Sequence, residues 1–151
     1  MVQMRVQVKG MDFGRMADQV GMEFDELKRN TLTSMAELIA STSPVDSGYY
    51  ARNHEVALRS GSFAATETRP EDAPRRSKGQ AVDEAAARAA GFASMLAGIN
   101  SRSMDSPNFV FRNRMAYSGL VEAEHAVYAR ARMEVPAAIE SHIQTMLARL
   151  P

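Results

Sequence analysis

Phe13, Met16, Val20, Phe24, Leu27, Met35, Leu38 and Ile39 recur at helical spacing over residues 13 to 39, and no other pattern constrains this chain's fold as strongly. The opposite face carries Asp18, Glu23, Asp25, Glu26, Lys28 and Arg29. Together they predict an amphipathic helix of about eight turns. Asp12 is placed to cap its start. The helix must end before Pro44, because proline disfavours helical geometry in the residue ahead of it. A rod of this length needs partners along its whole apolar stripe, and the remaining chain has to supply them.

The helix runs into a corner, "STSPVDSGYYARN", residues 41 to 53. Proline stops the helix, an aspartate side chain bonds its own backbone two residues on, and glycine accepts positive φ. These residues are fully explained as a joint that turns the chain out of the helix. Just beyond it stand Tyr49, Tyr50 and Arg52. Tyrosine and arginine are enriched at protein interfaces, so these three are candidate contact residues if they are exposed.

The rest of the chain supplies a small sheet and more helix. "VQMRVQVK" alternates, with Val2, Met4, Val6 and Val8 on one face, and reads as a half-buried strand closed by Gly10. "HEVALRSGSFAA" alternates around Val56, Leu58 and Phe63, which predicts a strand or bent hairpin arm. Residues 67–80 hold two prolines, a glycine and both charge signs without apolar period, and are expected to form a mobile exposed loop. "VDEAAARAAGFASMLAGI" is alanine-rich and helix-prone, with a shallow stripe at Val82, Ala86, Ala89, Phe92 and Leu96 whose small residues suit close packing, including against another subunit. Phe109 and Phe111 alternate in a further strand, "YSGLVEAEHAVYARARM" mixes a short helical pattern with small residues, and Pro136 is expected to open a last helix with Ile139, Ile143, Met146, Leu147 and Leu150 on one face. The order predicts one α+β domain over residues 1–151: long N-terminal and C-terminal helices packed on a small antiparallel sheet, with a helical insertion and a long exposed loop.

Composition removes several classes of function. Eighteen basic and eighteen acidic residues cancel, so no global field draws the chain to nucleic acid or anionic lipid. Without cysteine there are no disulfides, thiolate metal sites or cysteine nucleophiles. The opening "MVQMRVQVKG" lacks the apolar core of a signal peptide and no window approaches a membrane span, so a soluble chain used without export is expected. Eleven methionines without a tryptophan are scattered, which reads as adaptable filler rather than a copper site.

The search for chemistry yields fragments. Glu122 and His125 form one Glu-x-x-His pair, half of a di-metal carboxylate motif, with His54 and His142 as the remaining histidines. Asp46, Ser47 and His54 contain triad residue types at a spacing that carries no specificity. Nucleophile elbows, phosphate-binding glycine loops and the zinc-protease motif are absent from the sequence. Arg75, Arg76 and Lys78 are the residues best placed to touch phosphate, but Glu67, Glu71 and Asp72 stand beside them. The expectation is a non-enzymatic protein without catalytic residues, metal or cofactor.

Two blocks carry a resemblance. "SPVDSGYYARNHEV" resembles the S-P-V-D-T-G-x-[LFY]-[RK]-x-[SN] corner of the lambda-like tail-completion (neck) proteins of long-tailed bacteriophages. "FVFRNRMAYSGLVEAEHA" resembles their Asn-x-x-x-Tyr-x-x-x-[LIV]-Glu block, with Asn113, Ala116, Tyr117, Val121 and Glu122 at the matching places. Ser47 stands where the family has threonine, and Ala123-Glu124 replaces an aromatic–glycine pair. The resemblance implies a structural virion protein at the head-proximal end of the tail, assembled in the host cytoplasm and helping to join tail to head. It implies a homo-oligomeric ring, hexameric to match the tail, contacting tail terminator, head-closure protein and tail tube, with non-specific contact to the genome and none to membrane. Tail terminator and head-closure or connector protein are the neighbouring roles; a metal-dependent enzyme on Glu122, His125, His54 and His142 is the remote one. Candidate interface residues are Tyr49, Tyr50 and Arg52 after the corner, Tyr117 and Glu122 in the second block, and Arg75 and Arg76 in the loop.

Overall fold

The computed structural model describes residues 13–46, 48–57, 81–105, 108–115 and 117–150. The predicted strand at residues 2–8, the Asp12 cap, and the 67–80 loop with Arg75, Arg76 and Lys78 lie outside the described residues, as does Ser47.

The amphipathic stripe forms α1, Phe13–Thr42, a rod of about 45 Å. It ends two residues before Pro44, as the sequence requires. Its last carbonyls are met locally: the Thr42 hydroxyl donates to Leu38 O at 2.7 Å and the Ser43 hydroxyl to Ile39 O at 2.6 Å. The corner then makes one turn of helix, α2 (Tyr49–Arg52), before the chain becomes strand β1 (His54–Ala57). Gly48, at φ 79°, is the hinge between the two helices.

Helix α3 (Glu84–Asn100) starts at Asp83, whose carboxylate accepts from the Ala86 amide at 2.9 Å. Strand β2 (Val110–Asn113) pairs antiparallel with β1, with His54 opposite Asn113, Glu55 opposite Arg112, Val56 opposite Phe111 and Ala57 opposite Val110. The predicted α+β class is observed: long helices at the two ends of the described chain around a small antiparallel sheet, with a helix inserted between its strands.

Two expectations change. The buried face of α3 is Ala87, Gly91, Met95 and Ile99, while Ala86 and Ala89 of the expected stripe are exposed and Phe92 and Leu96 half-buried. The reason is backbone proximity. A Cβ at Gly91 would overlap the Ala51 carbonyl oxygen, and one at Gly98 would lie 3.0 Å from Val56 O. Glycine is what lets α3 rest directly on α2 and β1. The glycines of α3 therefore pack inside this chain, on Ala51 and Val56.

The last helix also begins earlier than Pro136. Helix α4 (Ser118–His125) ends at Ala126, which adopts φ 50° and reverses the chain into α5 (Val127–Leu147). Pro136 lies within α5 and is exposed. The helix starts instead at Glu122, whose two carboxylate oxygens accept from the Tyr128 and Ala129 amides, each at 3.0 Å. A carboxylate at the opening turn of α5 satisfies two amides that have no partner within the helix.

Helix α5 lies along α1, and α3 packs against α1, α2 and β1. Ala36, Ile39 and Ala40 of α1 cluster with Met95 and Ile99 of α3, Val127 and Ala131 of α5, and Tyr50, Val56 and Met104. Full burial of a side chain such as Ile39 contributes about 1.5–3 kcal/mol. The core is therefore centred on the C-terminal half of α1, directly beneath the corner.

Candidate functional site

Alternation along β1 puts His54 on the same face as Val56, toward the core, and both are buried. His54 Nε2 is 2.7 Å from Ser43 Oγ, and Nδ1 is 2.8 Å from the Tyr128 hydroxyl. Ser43 has one hydroxyl hydrogen, and it is directed at Ile39 O. Nε2–H therefore donates to Ser43 Oγ, and Nδ1 accepts from the Tyr128 O–H. This arrangement closes with a neutral imidazole. Burial alone lowers the His54 pKa to about 4, and burial first, then the Tyr50, Glu122 and Glu55 sites, pushes the Tyr128 phenol well above its ordinary range.

Asn113 binds the same knot from β2. Its Nδ2 donates to Tyr50 O at 2.6 Å and lies 3.4 Å from His54 Nδ1, while its Oδ1 accepts from the Met115 amide at 3.0 Å. The rings of Tyr50 and Tyr128 meet the imidazole edge-on, with centroids 5.0 and 5.7 Å away. Arg88 of α3 adds a bond from its Nε to Ser43 O at 3.2 Å. Side chains from α1's end, β1, β2, α3 and α5 thus converge on one buried point.

A serine hydroxyl beside an imidazole is the starting pair of nucleophilic catalysis. Here the pair is sealed in: Ser43 and His54 are both 0% exposed, and the serine hydrogen is committed to the backbone. Asp46 is exposed. The arrangement is a pin that holds the corner.

The histidines are likewise separate. His142 Nε2 is 3.0 Å from Ser34 Oγ in the α1–α5 seam, His54 is in the pin, and Glu122 is at the start of α5. Among the described residues, no three histidine, aspartate or glutamate side chains are grouped as metal ligands.

The candidate contact residues divide. Tyr50 is 4% exposed and belongs to the core, so it is not available as a surface contact. Glu122 is half-buried and occupied by two backbone amides. Arg52 is exposed, and Tyr49 and Tyr117 are half-buried.

Outside the pin, a cleft of about 300 Å³ opens beside the corner. One wall is the corner itself, with Pro44, Asp46, Gly48 and Tyr50. The other is a single face of α4 and its cap: Tyr117, Val121, Glu124 and His125. The hydroxyl of Tyr50 is buried without a hydrogen-bond partner among the described residues.

Motif reading misses the tyrosine–histidine–serine pin because its members lie at residues 43, 54 and 128 with no fixed spacing. The β1 alternation is the one available signal, since it places His54 inward beside Val56.

Compared with family models, curated proteins and solved structures, the chain shows no significant match. Among the described residues, no helix is long and apolar enough to cross a membrane.

Proposed function

We propose that this chain is a non-enzymatic structural protein of the neck of a long-tailed phage, a tail-completion component that assembles as a ring at the head-proximal end of the tail. The observation that carries the reading is where its two resembling blocks meet. His54 of the first pairs with Asn113 of the second, and the Asn113 side chain donates to the Tyr50 carbonyl at 2.6 Å. Segments far apart in the chain form one joint, and Ser43, Tyr50 and Asn113 of the resembling blocks take part in it alongside Tyr128 and Arg88. Asn113 ties β2 to the corner and Glu122 starts α5, so both serve architecture.

A joint of this kind fixes the direction in which α1 leaves the small sheet. Fixed orientation is what a closing ring demands, because each subunit must present two different patches at a constant angle. Apolar surface is available for such contacts: Met22, Phe24, Leu120, Met133 and Leu147 are all more than half exposed. Balanced charge permits copies to approach without mutual repulsion.

The test is the mass and negative-stain shape of the purified protein, alone and mixed with tail tubes of the same virion. Rings, or caps on one end of the tube, are expected. A strict monomer that ignores tubes overturns the reading.

A further inference from the structure

We propose that the outward face of α5 binds a second copy of this chain, the two α5 helices lying antiparallel about a two-fold axis level with Val135. The inference stands apart from the neck reading, because a two-fold contact closes with two molecules and needs no ring.

Helix α5 has two distinct sides. Val127, Ala131 and Met146 are buried, and His142 meets Ser34 in the seam with α1. Opposite them, Arg130, Met133, Ala137, Glu140, Gln144 and Leu147 follow one another at alternating spacings of three and four, and all six are exposed. That spacing is the seam of a two-stranded coiled coil, a straight stripe along one side of a helix. Its apolar members are uncovered, Met133 at 80% and Leu147 at 53% exposure.

The charges on the stripe name its occupant. Arg130 and Glu140 stand at equal distances on either side of Met133 and Ala137, and both pairs are centred on residue 135. When a second α5 is laid antiparallel about that centre, Arg130 of each copy meets Glu140 of the other, and Met133 meets Ala137. Two opposite-charge layers then enclose two apolar ones. An isologous contact requires this reciprocity, in which residue i touches j and j touches i. A partner of unrelated sequence does not require it. Among the described residues the side chains of Arg130 and Glu140 have no ion-pair partner, although Glu134 stands one turn from Arg130 on the same helix.

Other arrangements of two copies place the same groups badly. Parallel pairing sets Arg130 against Arg130 and Glu140 against Glu140. Sliding the antiparallel pair by one heptad toward the helix C-termini sets Arg130 against Leu147 and Glu140 against Ala137. Each leaves charges repelling or covered without a partner. Glu134, which flanks the stripe beside the groove to α1, falls near Ser141 of the second copy in the favoured register and meets no like charge there. One helix from each copy makes a contact smaller than a standard interface, so the pair is weak, with a Kd on the order of 10 µM. A ring built from such pairs needs a further, different patch, which makes pairing and ring closure separate steps.

Sedimentation equilibrium of the full chain, without tail tubes, should show monomers in exchange with dimers. Arg130→Glu and Glu140→Arg should each weaken the dimer about tenfold or more, and the two changes in one chain should restore it to within about threefold of native. Since the chain has no cysteine, Met133→Cys and Ala137→Cys molecules can be mixed under mild oxidation, and the mixture should form disulfide-linked pairs faster than either variant alone. Ala93→Cys, exposed on α3, should gain nothing from mixing with either. A native chain that stays monomeric at about 1 mM, roughly a hundredfold above the expected Kd, overturns the proposal. So does a double reversal as weak as the single ones, or mixed linking no faster than that of Ala93→Cys. Dimers that never form rings or cap tubes would remove the neck reading and leave this one standing. Rings assembled from a chain that shows no charge-reversal rescue would do the opposite.

Discussion

His54 Nε2 lies 2.7 Å from Ser43 Oγ, so the first residue of β1 and the first residue past α1 are joined by a bond closed to solvent. The bond requires a neutral imidazole, since Tyr128 already donates to the other ring nitrogen. That requirement makes the joint sensitive to acid. His54 titrates near 4 in the fold, against about 6.5 in the unfolded chain. Between those values the unfolded state takes up a proton that the folded state refuses. The contribution is complete above about pH 6.5 and is lost as pH falls toward 4, amounting to about 3 kcal/mol. Urea unfolding at pH 7, 5.5 and 4.5 should show this loss in the native chain. His54→Gln should be less stable at pH 7 but flatter with pH; parallel profiles would refute the assignment.

The two tyrosines around the imidazole should respond in opposite ways to loss of the hydroxyl. Tyr128→Phe leaves His54 Nδ1 without its donor at 2.8 Å and should cost about 1–2 kcal/mol. Tyr50→Phe removes a buried hydroxyl that has no partner among the described residues and should be neutral or stabilising by up to about 1 kcal/mol. Chemical denaturation midpoints of the two variants, measured side by side, decide the matter.

Two glycines of α3 test its packing, and Gly21 of α1 is their control. Gly91→Ala drives a methyl into the Ala51 carbonyl and should cost about 3 kcal/mol or abolish folding. Gly98→Ala, 3.0 Å from Val56 O, should cost less, about 1 kcal/mol. Gly21→Ala in α1 meets open space and should stabilise by about 1 kcal/mol through helix propensity. Thermal melts of the three should fall in that order, and an unaffected Gly91→Ala would mean that α3 does not lie on α2 as described.

The start of α5 supplies a pair of opposite sign. Ala126 holds φ 50°, a conformation that costs a residue with a Cβ about 1–2 kcal/mol. Ala126→Gly should therefore raise the unfolding free energy by about 1 kcal/mol. Glu122→Ala frees the Tyr128 and Ala129 amides and should lower it by about 1–2 kcal/mol. Urea midpoints of the two variants check the signs. Because the two residues act on the same helix start, the double variant need not be the sum.

Sequence periodicity is most informative where one residue type repeats on one face. Helix α1 and its stop before Pro44 are legible because the apolar repeat and a proline agree, although Phe24 of that repeat is 55% exposed, and β2 because Phe109, just ahead of it, alternates with Phe111. The start of α5 is not, since it depends on a carboxylate at Glu122 and an αL alanine at 126, neither of which has a reliable sequence signature. The α3 stripe is misplaced by periodicity for a related reason. Alanines fit anywhere on a helix, and only the backbone contacts of Gly91 and Gly98 reveal which face is inside. The pin joins residues that only the folded chain brings together.

Assembly is the property that separates the proposed role from any monomeric one, and Met133 is its most direct probe. It is 80% exposed on α5, beside Ala137 and Ala138 and across a shallow depression from Leu38 and Ser41 of α1. Nothing in the packing of the described residues explains an apolar side chain there, so Met133→Glu should leave the monomer within about 0.5 kcal/mol of native stability. Between subunits the same change buries an unpaired carboxylate, and loss of ring formation is expected by sedimentation velocity. Met133→Leu, which keeps the surface apolar, should assemble normally. If the glutamate variant forms rings as readily as the native chain, the contact between copies lies on another face, whereas a folded variant trapped as single subunits fixes this side of α5 as part of the ring.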